Sequence, residues 1–290
     1  MSEVINPAVM TLVSTTATET VPLWTAGSYN IGVQKRLDTT NRIYESLEDG
    51  NTDMPPSAKW ADAGPTNRYA VFDDSYRTKT TRASSLTFVI SAAAFTNRIA
   101  LLNLVGTSLS VVVTKDGDEV YNKTFSLLSS NGIVDLWTYF YTPYAYIRDK
   151  VVMDIPTMSG LTYTITITGP GEVGIGLIRI GLGKYIGKAE YGSSVGNKKF
   201  SIPGFDKYGK WTPTSRRPNA KRGSFDMWLS GNDDVDDIKS FLDDLDLTLV
   251  VFVMTPEYTR GIIWGYANDA NFTFLTYGID KYRLEIEGAT

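Results

Sequence analysis

Cysteine and histidine are both absent from these 290 residues. Without thiols there are no disulfides, no zinc-thiolate sites and no cysteine nucleophile. Without imidazole there is no Ser-His-Asp triad, no histidine metal ligand, and none of the commonest general bases. Any catalysis would fall to carboxylates, Tyr, Lys or a Ser-Lys pair. Long apolar runs are missing as well. No stretch approaches the roughly 18 residues of a membrane span, and residues 1–24 carry no basic segment leading into an apolar core. The expectation is a chain that is made and kept in the cytoplasm, or that leaves the cell by lysis inside a larger particle, with no membrane insertion. A net charge of −4 gives no overall pull toward nucleic acid, and no nucleic-acid partner is expected.

What is present reads as a mainly β protein in three parts behind an N-terminal arm, residues 1–19. Residues 20–75 are short, aromatic and turn-rich. About 50 residues bury little core, so large rings must supply it, and Trp24, Tyr29, Tyr44 and Trp60 are the obvious set. Residues 76–182 alternate at the strand period. The runs LTFVIS, RIALLNLV, SLSVVVT, EVYNKTF, LWTYFY, KVVMDI, LTYTITIT and EVGIGLIRIG read as strands, with Lys115-Asp116-Gly117-Asp118 as a hairpin turn. This pattern predicts an antiparallel sandwich of jelly-roll type. Residues 183–290 predict a small α+β docking domain. Val235, Ile238, Leu242 and Leu245 mark one face of a helix with Asn232 at its N-cap, and strands follow at LTLVVFVM, GIIWGYA and YRLEIEG.

Several patterns look like chemistry. GPGEVG, residues 169–174, matches G-x-G-x-x-G, but a dinucleotide site needs a helix after it, and IGLIRIGLG reads as strand. No cofactor is expected. The acids Asp233, Asp234, Asp236 and Asp237 lack the Gly and Glu spacing of a calcium loop and suit a solvated helix start, so no metal is expected. The basic loop NKKFSIPGFDKYGKWTPTSRRPNAKRG interleaves cations with aromatic rings. In an acidic chain without a nucleic-acid motif, this composition reads as a subunit contact, with Lys207, Lys210, Trp211, Arg216, Arg217 and Arg222 as its candidate residues. GPTNRYAVFDD, residues 64–74, reads as an extended joint between the aromatic module and the sandwich. Tyr69, Val71 and Phe72 are expected to be largely buried there, with Arg68 or Asp73 paired to a neighbouring segment.

Two resemblances add to this. Trp24, Gly27, Tyr29, Gly32, Val33, Tyr44 and Trp60 follow an order that resembles the type 3 chitin-binding modules of bacterial chitinases. By position, that likeness makes Trp60 the sugar-stacking ring, helped by Tyr44 or Tyr29, with a host-surface glycan as partner. The succession RIYESL, GNT, PP, GPTNRYAVFDD, TTRASSLTFVI, NRIALLNLVGTSLSVVV, GPGEVGIGLIRIGLGKYIGKAEYG and YRLEIEG resembles a family of tailed-bacteriophage virion proteins. It implies a non-enzymatic structural component of the tail, baseplate or neck that packs against other virion proteins and copies of itself. Three readings stay open: that assembly protein, a glycan-binding adsorption module, and a carboxylate-dependent glycosidase.

Overall fold

A computed structural model describes residues 2–129, 134–142, 145–202, 204–205, 207–211, 215, 217–230, 235–255, 259–276 and 279–289. The protein is mainly β, and its long strands are antiparallel. One layer of a sandwich is a five-stranded sheet in the order Met10–Thr15, Thr80–Ala92, Leu161–Ile175, Ser108–Lys115, Asp118–Ser126. Its inward positions alternate as the sequence does: Leu86, Phe88 and Ile90 on one strand, Ile165 and Ile167 on the next. The turn at Asp116 and Gly117 has positive φ at both residues (52° and 97°), which matches the twist of the strands it joins. GPGEVG lies inside the strand Leu161–Ile175, where the register shifts between Thr168 and Glu172, so these glycines form a bulge.

The facing layer belongs to two structures at once. Lys150–Val152, Arg98–Leu102 and the first half of Leu177–Ala189 cover the sandwich core. The second half of Leu177–Ala189 pairs with Ser2–Pro7, which pairs with Val250–Val253. The sheet continues through Ile262–Thr276, Ile279–Gly288 and Asn219–Ser230. The pairs Lys188↔Trp228 and Ala189↔Met227 then return to the starting strand, so the sheet closes as an antiparallel barrel. The helix Val235–Asp244 adds Ile238 and Leu242, with Leu245 just beyond it, to the core formed by Val4, Ile186, Phe252 and Leu284. Asn232, Asp233 and Asp234 lie outside the described residues.

Two expectations need correcting. Residues 1–19 are not a free arm, because Ser2–Pro7 is an interior strand of the barrel. Val4 points into the barrel core, while Ile5 enters a separate cluster with Leu102, Leu177, Val253 and Trp264. A strand buried on both faces reads as an apolar run, and VIN is too short to announce that. The same pairing shows that a division at 182/183 falls inside a strand. The second correction is LWTYFY, which is the short helix Leu136–Tyr141. Its aromatic residues favour strands, but a capping box decides the local structure. Asp135 Oδ1 accepts the Thr138 N–H at 2.7 Å, and Thr138 Oγ1 accepts the Asp135 N–H at 3.1 Å.

The N-terminal module is a three-stranded sheet, Gln34–Leu37, Arg42–Ser46 and Trp60–Pro65, over a small core of Leu37, Tyr44 and Trp60. Asn51 is fully buried. Its amide donates to Ser46 Oγ and the Lys59 carbonyl, both at 3.1 Å, and its oxygen accepts the Asp53 N–H at 3.0 Å. A satisfied buried amide of this kind fixes the chain path where rings alone would not.

The barrel depends on close approach of its first strand. A Cβ on Gly181 would stand 2.0 Å from the Asn6 carbonyl oxygen. Gly181→Ala is expected to destabilise the protein by about 3 kcal/mol in urea denaturation, because it separates Ser2–Pro7 from its partner. Gly196→Ala, on a strand where the added methyl meets nothing within 4 Å, is expected to stay within about 0.5 kcal/mol of the parent.

Candidate functional site

The stretch 64–74, expected to be a joint, is fastened to neighbouring segments at two places. Asn67 is its first fastening. Its amide donates to the Thr18 and Thr81 carbonyls (2.8 and 3.0 Å), and its oxygen accepts the Thr81 N–H at 3.0 Å. The Glu19 carboxylate accepts the N–H groups of Asn67 and Arg68, each at 3.1 Å. The stretch expected to be extended makes a 3-10 turn at Ala70–Phe72. Val71 is completely buried, Tyr69 and Phe72 are half-buried, and Phe72 packs edge-on against Phe88 in the sandwich core. The Arg68 side chain is exposed and enters the joint only through its backbone. The Asp73 carboxylate stays local, accepting from Thr78 Oγ1 at 2.6 Å and the Ser75 N–H at 3.1 Å.

The second fastening is Arg179, which the apolar strand places almost fully buried. Its guanidinium donates to the carbonyls of Val71 (3.2 Å), Ile178 (3.0 Å) and Asp73, and it pairs with the Asp74 carboxylate at 3.3 Å. The guanidinium also lies 4.7 Å from the Trp264 ring centroid, and Trp264 Nε1 donates to the Asp74 carbonyl at 2.9 Å. Burial pulls the Arg179 pKa below its usual value, while Asp74 and Asp73 oppose that shift. One guanidinium therefore connects the joint, the sandwich layer and the barrel. An arginine inside GLIRIG was the available signal, because a charged residue in a strand apolar on both faces must have buried partners.

Beside the clamp lies a cleft of about 410 Å³, lined by Tyr76, Lys79, Asn103, Lys221, Ile262 and Trp264 among others. Beneath it the buried Asp149 accepts three donors: Tyr76 Oη at 2.8 Å, the Asn103 N–H at 3.0 Å and Lys221 Nζ at 2.8 Å. Burial and the Asp149 charge push the Tyr76 phenol well above its ordinary pKa, so it stays a donor. Burial, with Arg148 nearby, lowers that of Lys79. The cleft offers amides, cations and one fully engaged carboxylate. Among the described residues it does not present the facing pair of carboxylates that sugar hydrolysis uses.

The rings assigned to sugar stacking are placed differently from the expectation. Trp60 is only 6% exposed, and its Nε1 donates to the Asp53 carbonyl at 2.8 Å. Tyr44 is buried beside it. Tyr29 is half-buried, edge-on to Trp60, with its hydroxyl donating to the Thr25 carbonyl at 2.6 Å and Lys35 over its ring. A module this small needs its rings as core, so Trp60 and Tyr44 have no free face for a sugar.

The basic loop forms an arm. Ser194–Lys199 pairs with Asn219–Ser230, and the ladder continues outward through Ile202↔Ser215 and Phe205↔Trp211. Trp211 is 61% exposed, and Phe205, Tyr208, Lys207, Lys210 and Arg217 are exposed with it. Lys207 lies over the Tyr208 ring at 5.0 Å. Arg222 sits at the base, paired with Glu285 of the barrel at 3.3 Å. Arg216 lies outside the described residues. Compared with protein-family models, curated proteins and solved structures, the chain matches none.

Arg179→Met keeps an apolar contact with Trp264 but strips three carbonyls of their donor. It is expected to cost about 3 kcal/mol in denaturant unfolding. Asp74→Asn, at a side chain 78% exposed, is expected to change stability by less than about 0.5 kcal/mol.

Proposed function

We propose that this chain is a non-enzymatic structural component of a tailed-phage particle, in its tail, baseplate or neck, and that it assembles through the arm of residues 194–230. The observation that carries the reading is the exposure of Phe205, Tyr208 and Trp211 together at the end of a ladder anchored in the barrel. Exposed rings grouped at the end of one strand ladder mark a surface meant to be covered. Aromatic and basic residues are the types that dominate protein interfaces. The partner chemistry follows from charge. Residues 198–222 hold eight cations and the single acid Asp206, so the rest of a chain of net charge −4 is strongly acidic. An arm of this kind fits an acidic surface with an apolar floor, on another virion protein or on a second copy of the chain. The family resemblance supports the same reading, with the virion as the expected location.

Glycan adsorption has less support than the sequence suggested, because the rings the resemblance assigned to it are core. Among the described residues the cleft holds no pair of carboxylates to support the glycosidase reading. Neither is proposed.

The test is incorporation into particles during infection, with the variant Phe205→Ser/Trp211→Ser beside the parent chain. The account expects the parent at fixed stoichiometry in purified particles. Losing two ring anchors, each worth about 2 kcal/mol, should weaken docking on the order of several hundredfold and leave the variant nearly absent from particles. A variant that folds and is incorporated like the parent would remove the arm from the assembly, and a parent chain absent from particles would remove the reading itself.

A further inference from the structure

The helix Leu136–Tyr141 faces the wrong way for a helix of a water-soluble protein. Leu136, Trp137, Phe140 and Tyr141 stand at positions i, i+1, i+4 and i+5, on one side of the helix. That side is outward: Trp137 is 70% exposed, and the other three are exposed to a similar degree. The only half-buried side chain of the helix is the polar Thr138. An amphipathic helix normally turns its apolar stripe to the core, and here the stripe faces solvent. The helix crowns a short hairpin, Leu128–Ser129 against Ala145–Tyr146, and Tyr139, Val134 and Tyr146 extend the exposed apolar surface around it.

Charge narrows the choice of what covers this surface. Residues 128–147 contain one charged side chain, Asp135, and its carboxylate is engaged in the helix cap. The tip therefore carries no other charge for a protein rim to pair with, and none that hydrocarbon would strand. The nearest cations sit at the foot of the hairpin. Arg148 and Lys79, beside Glu172, line a hollow there together with Tyr146. Apolar rings at a tip with cations one step behind match the depth profile of a bilayer surface. Trp and Tyr settle at the headgroup level there, and basic groups meet phosphates.

We infer that the helix Leu136–Tyr141 is a lipid-docking tip, which places Leu136, Trp137, Phe140 and Tyr141 in the interfacial layer of a phospholipid bilayer with Arg148 at the phosphates. This goes beyond the expectation of no membrane insertion. It is distinct from spanning: among the described residues no helix is long and apolar enough to cross a membrane. It rests on a different surface from the assembly arm and stands or falls independently of it.

The experiment is flotation of the full chain with vesicles of phosphatidylcholine, alone and mixed with phosphatidylglycerol. The parent is compared with Trp137→Ser, Phe140→Ser and Arg148→Ser. The serine variants alter exposed side chains, so their unfolding midpoints should match the parent. The parent is expected to float with both vesicle types, and more strongly with the mixed one. Each lost ring should reduce the floating fraction about tenfold, and Arg148→Ser should remove only the preference for the mixed vesicles. A parent that stays at the bottom with both vesicles overturns the inference, as does flotation unchanged in the ring variants. Self-association of the lipid-free chain that Trp137→Ser abolishes would assign the tip to a second copy and also overturn it.

Discussion

The structure turns on one buried cation. Arg179 sits in the middle of Leu177–Ala189, the strand that leaves the sandwich layer at one end and closes the barrel at the other. A guanidinium in that position is unfavourable unless it is hydrogen-bonded, and the joint supplies the carbonyls of Val71 and Asp73 and the carboxylate of Asp74 as acceptors. The segment between module and sandwich is therefore drawn across the barrel wall and held against Trp264. Ser2–Pro7 is fixed by a more deeply buried ion pair, in which Arg98 holds the buried Glu3 with two bonds, of 2.7 and 3.1 Å. Both arrangements favour one mutual placement of the parts, because any slip would leave a charge buried and unpaired.

A fixed placement matters for a protein whose exposed features sit at its extremities. The basic arm extends from the barrel by strand pairing, and the aromatic helix extends from the sandwich by a hairpin. Neither is built on the aromatic N-terminal module, which uses its rings for its own core. With the joint clamped, the sandwich and the barrel are connected through strands and buried hydrogen bonds.

Much of the fold was legible, for reasons that can be named. Period-two runs such as LTYTITIT and SLSVVVT show a half-buried strand directly, and both lie in the five-stranded sheet. The 3-4-3 spacing from Val235 to Leu245 gave the helix and its buried face. Closure of the barrel was not legible, because pairing between residues 2–7 and 250–253 is a long-range fact with only a short apolar run to signal it. LWTYFY failed because side-chain propensity was read without the Asp135–Thr138 cap. The candidate residues divide in the same way. Composition found the arm, since exposed cations and rings remain exposed. Resemblance placed Trp60 and Tyr44 on a surface, whereas burial in a domain of that size required them inside. Arg179, Asp149 and Trp264 were missed because their roles exist only where three distant segments meet.

The central claim is that sandwich and barrel form one cooperative body through their shared strand. Native-state hydrogen exchange of the intact chain in increasing urea tests it most directly, by following the amides of Ile178 and Ile180 in the sandwich half and Ile186 in the barrel half. The account predicts that all three exchange through the same global opening, with one free energy and one denaturant dependence. Two separate openings, with Ile186 exchanging at a free energy clearly different from that of Ile178 and Ile180, would show two independently stable units and contradict it.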